Sequence, residues 1–291
     1  MNKLRFIFGV ALVLGTAAGA QQPPANGTGV NAANPAQSQG KRPPQAKSQE
    51  EYKDYNSAYA LQGGAAAEQA AKEFAEKYPQ SELRAYLYSK AMHDFQTEDN
   101  PGKMLAMGEK VLALDPDNSI ALVLTATVLA DSLSDADQDR EQKIAEIKKN
   151  SDRALQTVDS GFTPPPKTTP EQIAAYKSTL QSMAHSALGI MELKTGKDAD
   201  AEKDLRAAAD LNKTQPDPYI WYHLALAQDH LATAATDRTQ QQKKYLEALA
   251  SVNAALQFTG SNPELGKLAQ GERERLQKLA SLPAESSKPP Q

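Results

Sequence analysis

The sequence predicts an all-α fold, and three observations support this prediction. First, the stretch HSALGIMELKTGKDADAEKDLRAAADL, from His185 to Leu211, is rich in strong helix formers. Second, good N-capping residues stand directly before proline, as is typical of helix starts. These pairs are Asn100-Pro101, Asp217-Pro218 and Asn262-Pro263. Third, the chain lacks runs in which β-branched and polar residues alternate, so no strand is predicted.

The first twenty residues, MNKLRFIFGVALVLGTAAGA, have the layout of a secretory signal peptide. Lys3 and Arg5 form a basic region, Phe6 to Val13 an apolar core, and Ala18-Gly19-Ala20 a small-residue cleavage site. The apolar run is shorter than the ~20 residues that a membrane-spanning helix needs. We therefore expect residues 1–20 to be removed on export, which leaves no stable membrane anchor. An uncleaved anchor is the alternative.

Cysteine is absent, so an exported form of this chain cannot contain disulfides and depends on packing for its stability. The acylated cysteine of a bacterial lipoprotein is missing as well. The formal net charge is −4, and losing Lys3 and Arg5 makes the mature chain more acidic. Because an acidic chain without a basic cluster is poorly suited to nucleic acid, we expect no such partner. The predicted location is the periplasm or the medium.

Composition divides the rest of the chain into three parts. Residues 21–47 are dominated by Gln, Pro, Asn, Gly and Ala, which predicts a disordered linker because too little apolar surface is available for burial. Residues 48–281 form the predicted helical domain. The composition of residues 282–291 predicts a disordered tail.

Within the helical domain, capping signals place individual helices. Ser48 to Glu51 and Thr169 to Gln172 both fit a capping box, the second with proline at the first helical position. Residues 170–194 predict one helix about 37 Å long at ~1.5 Å per residue. Pro263 to Ser281 predicts an amphipathic helix that caps the C-terminal end of the domain.

The glycines at positions 189 and 196 are unexpected in a helical stretch, since each costs about 1 kcal/mol relative to alanine. Their spacing to Ala201, Leu205 and Ala208, with Leu188 just before them, resembles the tetratricopeptide repeat, a helix-turn-helix unit of about 34 residues. The resemblance implies that Gly189 and Ala201 let two helices approach closely and that Gly196 makes the turn. It also implies that the leucines and Ala208 fill the seam between units.

The same marks recur along the chain. The remaining positions that resemble this repeat are Ala70 and Phe74 in a first unit, and Trp221, Leu224, Ala225, Ala248 and Ala255 in a fifth. The resemblance implies a right-handed α-α superhelix of about five helix pairs plus the C-terminal capping helix. Insertions or lengthened helices are expected near residues 131–141, 159–172 and 232–243. An irregular helical bundle with ordinary alanine packing is the alternative architecture.

Motifs of catalysis and metal binding are missing. His223 and His230 are seven residues apart on one helix, about 10.5 Å, too far for a shared zinc ion. His185 replaces the usual tryptophan of the repeat and is expected to be a partly buried structural residue. The sequence contains no HExxH, no Gly-x-Ser-x-Gly and no phosphate-binding loop. We therefore expect no metal, no cofactor and no enzymatic activity.

The resemblance also implies a binding groove lined by the first helix of each unit. The corresponding residues are Tyr55, Tyr59 and Gln62 in the first unit, Tyr86, Ser89, His93 and Gln96 in the second, and Tyr219, Tyr222 and Asp229 in the fifth. Tyrosine suits recognition because it combines a large apolar ring with a hydroxyl group. The alternative is that these tyrosines simply cover the ends of the core.

The first unit departs from repeats that clamp a C-terminal carboxylate with lysine and asparagine, because Tyr55 and Tyr59 stand at those places. Residues 70–88 resemble repeats of bacterial outer-membrane assembly lipoproteins, although the acylation cysteine is missing. The sequence thus predicts a non-enzymatic scaffold that binds a protein or peptide in the bacterial cell envelope. A subunit of an envelope-assembly or secretion complex is the alternative, and a helical hydrolase is a more distant one.

Overall fold

A computed structural model describes residues 42, 44–161, 168–213 and 215–281. Over these residues the fold is all-helical and contains no strand, as the sequence predicts. The helices are α1 (Gln49–Tyr59), α2 (Gly64–Lys77), α3 (Arg84–Thr97), α4 (Pro101–Leu114), α5 (Ser119–Ser132), α6 (Arg140–Thr157), α7 (Pro170–Lys194), α8 (Asp198–Leu211), α9 (Pro218–Ala234), α10 (Arg238–Leu256) and α11 (Pro263–Ala280). A 3-10 turn at Thr259–Ser261 precedes α11.

Eleven helices over the described residues match the prediction of five pairs and one capping helix. The helix from Pro170 to Lys194 has the predicted bounds. Two of the predicted insertions are the long connections 133–139 and 158–169, whereas near 232–243 the extra length lies in α9 and α10 themselves. The predicted signal peptide, most of the linker and the tail lie outside the described residues.

The predicted linker ends earlier than expected, because its last residues already pack on the helical domain. Pro44 and Ala46 are buried, Arg42 forms an ion pair with Glu82, and the Lys47 ammonium donates to the carbonyl of Gln80 at 2.8 Å. The proline-rich composition that favours disorder does not prevent two small apolar residues from covering the start of the domain.

The described residues form two compact units. The N-terminal unit contains those of residues 10–132 and 141–184, and the C-terminal unit contains those of residues 133–140 and 185–281. In the N-terminal unit each helix from α1 to α5 packs on the next, and α1 also contacts α3. In the C-terminal unit α8 to α11 pack in the same way, and α9 contacts α11. Packing on the next helix and on the next but one is the pattern of an α-solenoid; its right-handed twist stays a prediction.

Side-chain caps begin several helices where the sequence places them. The side-chain oxygen of Asn100 accepts a hydrogen bond from the backbone N–H of Lys103 at 3.2 Å, and that of Asn262 from Leu265 at 3.0 Å. The carboxylate of Asp217 accepts from the backbone N–H of Tyr219 at 2.9 Å. Thr169 and Gln172 form a reciprocal capping box. At α1 the Ser48 hydroxyl accepts from Glu51, but the Glu51 carboxylate accepts from Lys47 instead of Ser48. These bonds satisfy N–H groups that have no partner within the helix.

The predicted close contact between α7 and α8 is present. A Cβ atom added to Gly189 would lie 2.6 Å from Leu205 Cγ, so only glycine allows this approach. Gly196 has φ +73°, the left-handed conformation that glycine adopts without strain at a helix end. The other predicted repeat positions are buried, except that Trp221 is half-buried. Those buried positions are Ala70, Phe74, Leu188, Ala201, Leu205, Ala208, Leu224, Ala225, Ala248 and Ala255.

Helix α5 differs from its neighbours because it is buried on nearly every side, from Ser119 to Ala130. Such a helix occupies the middle of a helical layer rather than its surface. Its Thr125 hydroxyl accepts a hydrogen bond from the Asn150 carboxamide of α6 at 3.1 Å, so the polar group inside this layer is satisfied.

Candidate functional site

In the N-terminal unit, α1 and α3 contact each other and carry half-buried aromatic and polar side chains. We call this set the α1–α3 surface. It comprises Tyr52, Tyr59, Tyr86, Ser89, His93 and Gln96. Residues 86, 89, 93 and 96 follow helical spacing on α3 and therefore share one face. All of these residues except Tyr52 are among the predicted groove positions.

Tyr55 lies beneath this surface instead of forming part of it. It is only 3% exposed, and its ring packs 5.6 Å from the ring of Tyr59 and 6.3 Å from that of Phe74. Burial, followed by its proximity to Tyr59, Tyr86 and Tyr52, raises the pKa of the Tyr55 hydroxyl. The prediction that Tyr55 contacts a partner is therefore not supported, because packing between α1 and α2 takes up its ring.

Tyr59 is half-buried, so part of its side chain is accessible. Burial, with a smaller contribution from Asp94 of α3, raises the pKa of its hydroxyl, which therefore stays protonated and can donate a hydrogen bond. Gln62, another predicted groove residue, follows α1 in the exposed turn before α2, where its carboxamide donates to the carbonyl of Ala60 at 3.2 Å.

The α3 helix carries an ion pair that sequence reasoning missed. Lys90 and Asp94 are four residues apart and their charged atoms lie 2.6 Å apart, with side chains only 9% and 15% exposed. Next to them, the buried Nδ1 atom of His93 has no hydrogen-bond partner among the described residues. The spacing of Lys90 and Asp94 indicates a surface helix pair, and only the packed structure shows that the pair is mostly buried.

The C-terminal unit presents its predicted site residues differently. Tyr219 and Tyr222 are half-buried on α9, with His223 between them at ring distances of 4.2 and 5.6 Å. Burial lowers the pKa of His223 to about 4, so its ring is neutral at pH 7. Tyr222 also packs against the core formed by α9, α10 and α11, which leaves less of its ring available to a partner.

Asp229, a predicted partner-binding residue, is engaged within the chain. It is 6% exposed and forms an ion pair with Arg275 of α11, which also pairs with Glu272 at 2.8 Å. Burial raises the pKa of Asp229, and Arg275 opposes this effect. Arg275 of α11 thus occupies the carboxylate of Asp229, which a positively charged group of a partner would otherwise bind.

A third cluster lies between α7 and α8, beside the close contact at Gly189. His185 Nδ1 lies 2.6 Å from Asp204 Oδ1, and Glu192 hydrogen-bonds to the same aspartate. Burial, then Asp204 and Asp200, raise the pKa of Glu192 to about 8, so this carboxyl holds a proton at pH 7. His185 is half-buried between two helices, as predicted, while its acidic partner comes from a different helix and carries no local signal in the sequence.

Metal ligands and membrane spans are not found in the described parts of the chain. No set of three or more His, Asp or Glu side chains there is arranged to hold a metal ion. His230, the remaining histidine, pairs with Asp198 at 2.8 Å. None of the helices in the described ranges is long and apolar enough to cross a membrane.

The chain matches no protein-family model, and neither a curated protein nor a solved structure shows significant similarity to it.

Proposed function

We propose that this chain is an exported repeat protein of the tetratricopeptide type, and that it binds a protein or peptide in the bacterial cell envelope without catalysing a reaction. The α1–α3 surface carries this proposal. Its tyrosines Tyr52, Tyr59 and Tyr86 are half-buried, so the protein covers part of each side chain and leaves part of it exposed. A ring that is already fixed loses little conformational entropy on binding, and this favours recognition.

The chemistry of the surface fits a polypeptide ligand. Tyrosine rings bury apolar area, and their hydroxyl groups bind to backbone carbonyl groups. Ser89 and Gln96 add neutral donors and acceptors on the same face of α3. Surfaces that combine aromatic residues with uncharged polar residues are typical of protein recognition sites.

The test compares two groups of variants. Tyr59→Ala and Tyr86→Ala remove half-buried rings from the α1–α3 surface, whereas Leu246→Ala removes an apolar side chain that is 52% exposed on α10. Each protein is immobilised and exposed to envelope extract from the producing cell. We expect the tyrosine variants to capture the main partner about thirtyfold less well or worse, because an aromatic anchor contributes ~2 kcal/mol or more.

Circular dichroism of each variant verifies that the helices remain. If Leu246→Ala reduces capture as much as Tyr59→Ala does, the recognition surface lies elsewhere and the proposal is wrong. The stoichiometry of the captured material separates the two binding alternatives. A fixed subunit of an assembly complex retains one partner in equal amount, while a peptide-binding module retains several at lower occupancy.

Export is a separate part of the proposal. The basic, apolar and small-residue segments of residues 1–20 support cleavage before Gln21. Intact-mass analysis of the protein from its producing cell is expected to give a chain that begins at Gln21. Recovery of the chain with Met1 from the cytoplasm would contradict export.

A further inference from the structure

A cavity of about 290 Å³ lies next to the α1–α3 surface in the N-terminal unit. The turn before α3, the first turn of α3, the end of α4 and the segment that precedes α1 form its walls. Its charged and aromatic lining residues are Arg42, Glu82, Arg84, Tyr86 and Asp115. Tyr86 belongs both to this cavity and to the α1–α3 surface, so a chain bound on the surface can continue into the cavity.

The charges around the cavity are not equally available. Arg42 and Glu82 pair with each other, and Asp115 accepts a hydrogen bond from the Asn118 carboxamide at 3.5 Å and has further partners. Arg84 is different. Its Nε atom donates to the carbonyl of Ser81 at 2.9 Å, which fixes the plane of the guanidinium group, whereas its two terminal amino groups have no acceptor among the described residues.

An arginine whose guanidinium is fixed at one end and unsatisfied at the other favours a planar anion. Carboxylates accept two parallel N–H bonds from such a group, and these charge-assisted bonds are stronger than neutral ones. The cavity is at the lower end of the ~300–1,000 Å³ range of small-molecule sites. It therefore suits one or two residues of a peptide rather than a large cofactor.

We propose that this cavity, through Arg84, binds a carboxylate group of the peptide that lies on the α1–α3 surface. The carboxylate comes either from the C-terminus of that peptide or from an Asp or Glu side chain. This inference rests on the proposed function and extends it, because it assigns a chemical class to the ligand. The site differs from the lysine and asparagine clamp of related repeats, since arginine at the start of α3 supplies the cation.

The test uses three pools of short N-acetylated peptides of mixed sequence. The first pool has a free C-terminal carboxylate and no acidic side chain, the second has the same sequences with a C-terminal amide, and the third adds one Asp or Glu to the amidated peptides. The protein purified from its producing cell is immobilised, and mass spectrometry measures how much of each pool it retains. We expect one acidic pool to be retained about tenfold or more above the neutral pool.

Variants connect this preference to Arg84. Arg84→Gln is expected to abolish the preference for carboxylate while retention of the neutral pool persists, and Arg84→Lys is expected to keep part of the preference. Tyr59→Ala is expected to lower the retention of all three pools alike. The matched control is Arg153→Gln, which removes an equal charge from an exposed ion pair with Asp117 and is expected to leave the preference unchanged.

The outcomes separate the two proposals. Equal retention of the three pools by the unchanged protein would overturn the carboxylate site but not the peptide surface. The carboxylate site is also overturned if Arg84→Gln, still helical by circular dichroism, keeps the full preference, or if Arg84→Lys loses no more than Arg153→Gln does. A failure to retain any pool would overturn both proposals.

Discussion

The groove residues that α1 contributes are tyrosines, whereas the groove residue Asp229 of α9 forms an ion pair with α11, beside an apolar core that α9, α10 and α11 share. The ring of Tyr55 is buried and that of Tyr59 half-buried. Both lie close enough to α3 for Tyr86 to affect the pKa of Tyr55 and for Asp94 to affect the pKa of Tyr59. Asp229 meets α11 through an ion pair with Arg275. The predicted groove residues thus have different surroundings in the two units, because a different helix packs next to them.

The position of a residue within a repeat therefore does not decide its availability to a partner. A half-buried tyrosine keeps part of its side chain available to a partner, since ring packing requires no exclusive partner. An ion pair takes up the charge that a ligand would need. The proposed recognition surface therefore lies on the N-terminal unit, whereas Tyr222 and Asp229 contribute to packing within the C-terminal unit.

The largest loss of stability is expected when the ion pair between Asp229 and Arg275 is broken. Arg275→Ala leaves the carboxylate of Asp229, a side chain only 9% exposed, without its cation. Arg275 itself is 46% exposed, so solvent reduces the cost, and we expect the free energy of unfolding to fall by about 2 kcal/mol. Chemical denaturation measures this change. Arg153→Ala, which breaks the exposed pair with Asp117, is the control and is expected to cost under ~1 kcal/mol.

A double variant makes the first prediction specific. Adding Asp229→Asn to Arg275→Ala removes the unpaired charge, so part of the lost stability is expected to return. If the double variant is less stable than Arg275→Ala by the full effect of Asp229→Asn alone, the two residues are independent. In that case the ion pair between Asp229 and Arg275 does not stabilise the contact between α9 and α11.

The next effect concerns the glycines at helix contacts in both units. A methyl group at Gly189 would meet Leu205, and one at Gly108 would meet the methyl group of Thr125. Overpacking costs ~1–3 kcal/mol, and alanine gains ~1 kcal/mol over glycine in helix propensity, so Gly189→Ala and Gly108→Ala are expected to destabilise by up to about 2 kcal/mol. Gly271→Ala on α11 has open space around it and is expected to stabilise by up to ~1 kcal/mol. Thermal denaturation of the three variants tests this order, and a stabilised Gly189→Ala protein would disprove the close contact.

A separate effect is a pH dependence of stability in the C-terminal unit. The pKa of Glu192 is about 8 in the folded chain, raised by burial and by Asp204 and Asp200, and about 4.3 in an unfolded chain. Folding therefore takes up a proton between these values, so the stability that the protonated carboxyl contributes is full below about pH 4 and is lost as the pH rises through about 8. The other charged groups near Glu192 are His185 and Lys197, and Arg140 binds the carbonyl of Lys194 nearby.

Glu192→Gln is expected to remove this loss, because the carboxamide donates to Asp204 at every pH. Melting temperatures measured from pH 5 to pH 9 are therefore expected to fall less in Glu192→Gln than in the unchanged protein. Glu109→Gln, at an exposed position of α4, is the control and is expected to follow the unchanged protein. Parallel curves for all three proteins would show that Glu192 is ionised throughout.

Much of the fold was predictable because its signals are local. Asn-Pro and Asp-Pro pairs fix where helices begin, and the Gly189 to Ala208 spacing identifies the α7–α8 contact from one continuous stretch. The long helix α7 follows from a capping box and an uninterrupted run of helix formers. Each of these inferences needs only residues that are close together in the sequence.

The candidate site was less predictable because burial depends on distant helices. Tyr55 and Tyr59 are one helical turn apart, and only the packing of α2 and α3 decides which ring is covered. Asp229 resembles an available groove residue because Arg275 is far away in the sequence. Arg84 carries no signal of its own, since one arginine at a helix start is unremarkable until the cavity beside it is known.

Site-specific photo-crosslinking tests the central claim most directly. Benzoylphenylalanine replaces Tyr59 in one protein and Tyr222 in another, and both are irradiated in the producing cell. We expect position 59 to give an adduct with a separate polypeptide and position 222 to react mainly within the chain, with α11. An adduct with a partner at position 222 and none at position 59 would contradict the assignment of recognition to the N-terminal unit.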